Sequence, residues 1–456
     1  MKTLPLLLFI FFLVLQTTFS SKIVIIGAGV SGIAAASILE NTHEVTILEA
    51  RDRIGGRIWT DFSWGYPLEI GGAWIHGIIK NPIYQLAQTY KQPTLVFNYE
   101  NTTFKSNSLS GQDLAGAEQS LNDEGEGFLS YLESYRSDES KPDESLTVVL
   151  DHYKKKEELS KKENLFVDNY IATEIEDEFS ANIKFLSKYS YDTSLNKKGD
   201  DVLVPNGYIN LLKPVLTNKT TVHLNFTVTK VDQLSSGNQV KIISADGKVI
   251  LADYVICTLP LGVLKKKKVQ FIPELTPRKQ KAISKLGMGA LNKVFVEFKN
   301  VFWENTNLIR IIDEPVTGFS YAANFNKLLG KPALCFLLAG DHYPLQNVTE
   351  SQLKQDIIKL MTKLYPKKHI EITKIIKTNW AADEYAYGSY SIYPVGSGVE
   401  DVKEFSVPEK KLYFAGEHAS WEFSSTTHGA WESGVQAAKK VLAEEEKKGI
   451  LAVDRN

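Results

Sequence analysis

An α/β fold headed by a dinucleotide-binding unit is what the sequence predicts, on three observations. The chain begins, after an apolar leader, with a strand, a glycine-rich turn, a helix, a second strand and an acid, in that order. Its 456 residues leave room for two or three domains at about 150 residues each. Its composition is that of a packed protein, with 43% apolar and 23% charged residues.

The head of the chain justifies itself element by element. Lys22 to Ile26 is a β-branched run, and Gly27-Ala28-Gly29-Val30-Ser31-Gly32 follows it directly. Ile33 to Glu40 reads as an Ala-rich helix, and Glu44 to Leu48 as the second strand. Gly27 allows a tight turn, Gly29 lets a pyrophosphate approach the backbone, and Gly32 lets the helix pack closely on the strand. Glu49 ends the second strand 17 residues after Gly32, placed to accept hydrogen bonds from ribose hydroxyls. A carboxylate there repels a 2′-phosphate, which argues against NADP.

Charge and targeting narrow the function classes. Lys and Arg number 52 against 54 Asp and Glu, a formal net charge of −2, which removes the electrostatic case for nucleic acid. Lys2, the apolar run Leu4 to Leu15 and the small residues before position 20 read as a signal peptide cleaved after Ser20. The run is too short for a transmembrane span of about 20 residues. Residues 1–20 are therefore assigned to targeting, and the mature chain to a secreted or endomembrane-lumen protein with net charge −3. Four N-x-S/T sequons, at Asn101, Asn218, Asn225 and Asn347, suit that route. The two cysteines, Cys257 and Cys335, cannot build a disulfide framework or a zinc site. They are read either as one pair or as two inert thiols in buried strands. Only seven basic residues are Arg, and Arg51, Arg53 and Arg57 fall within one heptapeptide, which points to a planar, bidentate anion contact. Lys265 to Lys268 reads as a solvated loop, not a nucleic-acid patch.

A second loop distinguishes the dinucleotide. Arg51-Asp52-Arg53-Ile54-Gly55-Gly56-Arg57 continues straight from Glu49, and Leu68 to Gly77 is again glycine-rich, with Trp74 and His76. An NAD dehydrogenase has no need of these additions; a bound flavin dinucleotide does. Here the chain resembles the flavin-dependent amine oxidases, the family of monoamine, polyamine and L-amino-acid oxidases. Matching motifs run from Ile23 to Gly434, except across roughly 90–200.

What the resemblance implies can be set out residue by residue. The loop with Arg51 and Arg57 cradles phosphates of FAD, and Gly72-Ala73-Trp74 with His76 passes along the flavin ring. Val228 matches a backbone contact to adenine. Lys293, opening an alternating apolar run, corresponds to a lysine that reaches flavin N5 through a water. Trp380 and Tyr390 lie in a segment resembling the wall of the substrate cavity. Ser389 stands where monoamine oxidases carry the cysteine that bonds the flavin, so noncovalent FAD is implied. Glu417 corresponds to a contact near the ribityl-phosphate, and Thr426 and Thr427 open a closing helix aimed at the flavin pyrimidine. The Ser425 to Gly429 stretch and His76 are most like the polyamine oxidase branch.

The fold implied is a FAD-binding Rossmann-like domain of glutathione-reductase type with a discontinuous α+β substrate domain. Residues 21–85, 200–285 and 395–450 fall to the first, and 86–199 with 286–394 to the second. Glu174, Glu176 and Glu178 are assigned to a solvated helix surface ahead of the substrate-facing role that some relatives give this stretch. The activity implied is oxidation of a polyamine (spermine, spermidine or acetylated forms) by O₂ to an aldehyde, an amine and H₂O₂, by a monomer or homodimer that needs neither nucleic acid nor, after signal cleavage, a membrane. His76 would hydrogen-bond an amine nitrogen. The alternatives are a secreted L-amino-acid oxidase and a catalytically silent flavoprotein module. The first wants a cation near the flavin to pair with the substrate carboxylate, and the matched segments that wall the substrate cavity supply no Arg, since Arg310 lies outside them. Retained Lys293, Trp380 and Tyr390 argue against the second.

Overall fold

The computed structural model describes residues 21–453, apart from 139. The leader, and with it the reading of residues 1–20, lies outside the described residues.

Five parallel strands form the central sheet, in the order Leu412–Phe414, Tyr254–Cys257, Lys22–Ile26, Glu44–Leu48, Thr220–His223. Lys22–Ile26 is nearly a continuous Ile and Val run, and Tyr254–Cys257 and Leu412–Phe414 are buried throughout, because helices and a second sheet cover both faces. The helix Val30–Leu39 lies on one face, packed against the closing helix Thr427–Val453. Gly434 permits that approach: a Cβ there would sit 2.1 Å from the carbonyl oxygen of Ser31. The sheet Val249–Ala252, Gln239–Ser244, Val228–Ser236, Gln270–Ile272 covers the other face.

A second body is built on six strands, ordered Ile372–Lys377, Asn292–Phe298, Ala333–Leu338, Tyr321–Asn324, Leu308–Ile311, Thr102–Lys105. Asn292–Phe298 does not expose alternate residues as its pattern predicts; six of its seven are buried, because the strand is central and covered on both faces. A Lys- and Glu-rich stretch around Lys154 to Glu163 falls in the helices Leu146–Lys156 and Lys161–Tyr170 and the turn between them, the second helix opened by a Ser160/Glu163 capping box. Lys161–Tyr170 runs into a single wide turn, Ile171–Glu176, with π-helical hydrogen bonding. A three-stranded ribbon joins Trp74–Ile75, Val202–Leu203 and Leu95–Val96, so residues 95–96 pair with strands of the nucleotide-binding unit.

Cys257 and Cys335 sit in different sheets as buried free thiols, each pushed up to about 12 by burial. Lys265 to Lys268 are all exposed, and the Lys265 ammonium in addition donates to the carbonyls of Ile283, Ser284 and Leu286, capping a helix end. Among the described residues no helix is long and apolar enough to cross a membrane.

Candidate active site

One cavity of ≈1040 Å³ runs from the glycine-rich turn to the six-stranded sheet. At its near end Gly27 has φ +107°, and a Cβ on Gly32 would lie 2.0 Å from the Gly27 carbonyl oxygen. Gly29 lines the cavity, and nothing lies within 4 Å of where its Cβ would stand, which leaves space for a ligand against the backbone. It is also the N-cap of the helix Val30–Leu39 with no side-chain cap, so the first N–H groups, around Val30 and Ser31, are free for an anion. Glu49 is buried at the same end; its carboxylate accepts from the backbone N–H groups of Ala28 (2.7 Å) and Arg51 (2.9 Å). Val228 opens its strand as a buried cavity residue.

The arginine cluster makes the planar contacts expected of it, but with carboxylates of the protein. Arg51 is bidentate on Asp383, at 2.6 and 3.1 Å. Arg57 donates to Glu417 at 2.7 Å and to the Ser389 carbonyl at 3.0 Å. Arg53 bonds the Ile54 and Ile58 carbonyls and stacks over Trp59. Arg51 and Arg57 still line the cavity. Glu417 accepts a further bond from the Ser391 hydroxyl at 2.6 Å. Burial pushes its carboxyl up, but Arg57 and the hydrogen bonds prevail and hold it well below the usual range.

Lys293 is 5% exposed, and its ammonium donates to the carbonyls of Glu69 (2.8 Å) and Gly71 (2.6 Å). An ammonium has three protons; two are committed to the loop that leads into Gly72-Ala73-Trp74, and the residue faces the cavity. Burial lowers its pKa. Trp380 is tied beside it by its indole N–H to the Ile70 carbonyl and its backbone N–H to Asn292. Tyr390 donates its hydroxyl to the Asp177 and Glu178 carbonyls, at 3.0 and 2.9 Å, so its ring is a fixed wall. Thr426 caps the closing helix by accepting from Gly429 N–H, and the Thr427 hydroxyl pairs with that of Tyr208 at 2.7 Å. Ser389 uses its hydroxyl to accept from Leu291 N–H.

At the far end His76 Nδ1 is 2.8 Å from Asp201, which also accepts from the Tyr99 hydroxyl at 3.0 Å. Desolvation opposes its protonation, but the Asp201 bond and charge prevail, and its pKa is raised. Two expectations are corrected here. Glu174 and Glu178 are exposed but line the cavity, and Glu176 is buried against His342, so the acidic run borders the cavity and is not merely an outer helix surface. Arg310 also lines the cavity, on the strand Leu308–Ile311 facing that run, so the argument that the cavity lacks an Arg fails.

Asp201 and Arg310, the second of them set aside in the sequence reading, together with Ser391 and Glu69 are residues to which the motifs give no role. A lone cation inside the apolar run Leu308–Ile311, and an acid immediately before Val202-Leu203, are the signals that point to the first two. Burial brings the Glu69 carboxyl to about 7, close to Lys293.

A flavin dinucleotide fits this donor set: an open Gly29, an uncapped helix N-terminus, a buried ribose-side acid, and a Trp74 indole N–H buried without a partner at the cavity wall. Residues 30–442 match the family model described as flavin containing amine oxidoreductase. Polyamine oxidase 4 of Oryza sativa subsp. japonica is 30% identical over 453 residues, covering 94% of this chain and 90% of the relative. Polyamine oxidase 2 of Arabidopsis thaliana is 28% identical over 438 residues, covering 92% and 88%. Lysine-specific histone demethylase 1 homolog 2 of Arabidopsis thaliana is 29% identical over 452 residues, which is 92% of this chain but 58% of that protein. With its family match running nearly from end to end, the chain belongs to the flavin-containing amine oxidoreductases.

Proposed function

We propose that the protein oxidises a polyamine-type amine with O₂, using a noncovalently held FAD, and releases H₂O₂ with an aldehyde and a shorter amine. The observation that carries this reading is Lys293, a buried ammonium with two protons fixed on the Glu69 and Gly71 carbonyls and a cavity in front of it. When bound, the flavin supplies the two-electron oxidation of the amine and the onward transfer to O₂. Gly29 and the first turn of Val30–Leu39 hold its phosphates, and Glu49 its ribose. Ser389, whose side chain replaces a bonding cysteine, leaves the ring unattached.

The chain's residues then do four things. Trp380 and Tyr390 wall the space in which the amine is turned. Carboxylates at the far end, Glu178 and Asp201, attract a cationic amine. His76, tied to Asp201, takes or returns a proton at the amine nitrogen. Lys293 holds a water with its third proton and moves a proton during reoxidation. We read the six-stranded body as the substrate domain, and residues 1–20 as the leader of a secreted or lumenal protein that works as a monomer or homodimer.

Arg310 in the cavity favours a second reading, oxidation of an amine bearing a carboxylate, as in an L-amino-acid oxidase; its guanidinium is already paired to Glu174. One assay separates them: H₂O₂ release from the purified yellow protein given spermine, spermidine, N-acetylated polyamines, tyramine and Leu in parallel. Turnover of polyamines supports the first reading and turnover of Leu alone overturns it. A yellow protein inert to every amine leaves only a silent module.

A further inference from the structure

A second, smaller space of ≈50 Å³ shares a wall with the large cavity. Ala73, Trp74 and Lys293 line both, so only these residues separate the two. One side of the small space is the face of the six-stranded sheet that carries Lys293. Strand residues two apart share a face, which sets Phe295 beside Lys293. The strand register then sets Cys335 opposite Phe295 and Ala323 opposite Cys335. All three line the space. Another side is the helix Phe325–Leu329, a short turn with no buried residue, which contributes the half-buried Leu328 and Leu329. The space therefore lies between a surface helix and the buried Lys293.

Its lining offers water little to bond. Glu69 borders it, but the carboxylate already accepts from the Thr60 hydroxyl and the Tyr208 N–H. Two protons of the Lys293 ammonium are held by carbonyls. The third proton and the Trp74 indole N–H belong to the wall that faces both spaces. What remains is hydrocarbon and one buried thiol. A cavity needs only about 10–15 Å³ to hold a water, yet water enters only where it finds two to four polar partners; apolar cavities stay dry and take apolar guests. The groups at the amine end, His76, Glu178 and Arg310, line the large cavity and not this one.

We propose that the small space is a dioxygen site, an antechamber that takes O₂ in beneath the Phe325–Leu329 helix and passes it by Lys293 and Trp74 into the large cavity. O₂ is a small apolar molecule, and its transfer from water into apolar surroundings is favourable. A cationic amine is kept out by the cost of desolvating its charge. The two substrates thus have separate routes, and O₂ can arrive while an amine or its product fills the far end. This rests on the reading of the protein as an amine oxidase that uses O₂.

Crystals of the yellow holoenzyme under xenon pressure are expected to hold a xenon atom in this space. An empty space in a protein that turns over amines with O₂ overturns the inference and leaves the oxidase reading standing. Leu328→Trp, which carries an indole into the space from the surface helix, should abolish the xenon site. It should also lower the second-order rate constant of the reduced protein with O₂ about tenfold, the equivalent of about 1.4 kcal/mol of lost apolar contact. Reduction by the amine, and reoxidation by ferricenium, an acceptor too large for the space, should keep their wild-type rates. An unchanged O₂ rate constant in a variant that has lost the xenon site overturns the inference. So does equal slowing with both acceptors, which marks a general disturbance of the site. Should Leu328→Trp fail to fold, Ala323→Val narrows the space from the strand side and is read in the same way. A wild type that amines reduce but O₂ does not reoxidise overturns the inference and the oxidase reading together.

Discussion

The Lys293 ammonium lies 2.6 Å from the carbonyl oxygen of Gly71, 222 residues away in the chain. That bond fixes a buried cation to the backbone of the loop that enters the cavity wall at Gly72. It also means that Lys293 acts through a geometry set by the Leu68 to Trp74 segment.

Replacing Lys293 with Met should therefore leave a folded yellow protein whose reoxidation or reduction is slowed about 100-fold, within the range for a lost positioned proton donor. Stopped-flow absorbance of the two half-reactions checks this, and unchanged rates in both would remove the assigned role.

The Arg57–Glu417 pair joins the glycine-rich loop to the turn before the closing helix. Glu417 is almost fully buried, so Glu417→Ala strands a guanidinium and should cost about 3–5 kcal/mol, with weaker flavin retention. Because its folded pKa is depressed, its contribution is complete above the ordinary carboxyl value of 4.5 and is lost as pH falls below it. Melting curves should accordingly keep a constant gap between wild type and variant from pH 7 to about 5, and the gap should narrow progressively as pH falls below 4.5.

His76 and Asp201 are shifted in opposite directions, the histidine up and the acid down. The pair's contribution is present while His76 is protonated and disappears as pH rises through its raised pKa. Asp201→Asn should return His76 toward or below 6.5 and move the histidine limb of the kcat/KM profile to lower pH. A limb that does not move would assign the titration to another group.

His428 is buried without a hydrogen bond at either ring nitrogen, and burial pushes it down to about 3. Protonation is thus resisted in the folded state, and stability is lost as pH falls below 6.5, where the unfolded chain takes up the proton. His428→Met should flatten that acid limb and raise the melting temperature at pH 5 more than at pH 8.

The four sequons are not equivalent. Asn218, Asn225 and Asn347 are exposed, whereas the Asn101 side chain accepts from Asn307 N–H at 2.8 Å beside the strand Thr102–Lys105. Protein expressed through a secretory pathway should carry glycan at the first three and none at Asn101, as read by peptide mass spectrometry after deglycosylation in heavy-oxygen water.

By itself the sequence determined the elements whose cause is local. Gly27 and Gly32 are demanded by a turn and a helix–strand contact a few residues wide, and the runs Lys22–Ile26 and Tyr254–Cys257 declare buried parallel strands by composition. The same local logic placed Glu49 at the end of its strand. What the tertiary structure alone decided is how charges are partnered. Arg51 meets Asp383 and Arg57 meets Glu417 across 332 and 360 residues, and Arg310 enters the cavity opposite an acidic run that reads in isolation as solvated helix. Turn geometry is set by sterics between neighbours, which a short stretch of sequence contains. An ion pair depends on where two distant strands and a helical turn are brought by packing, and no local pattern records that.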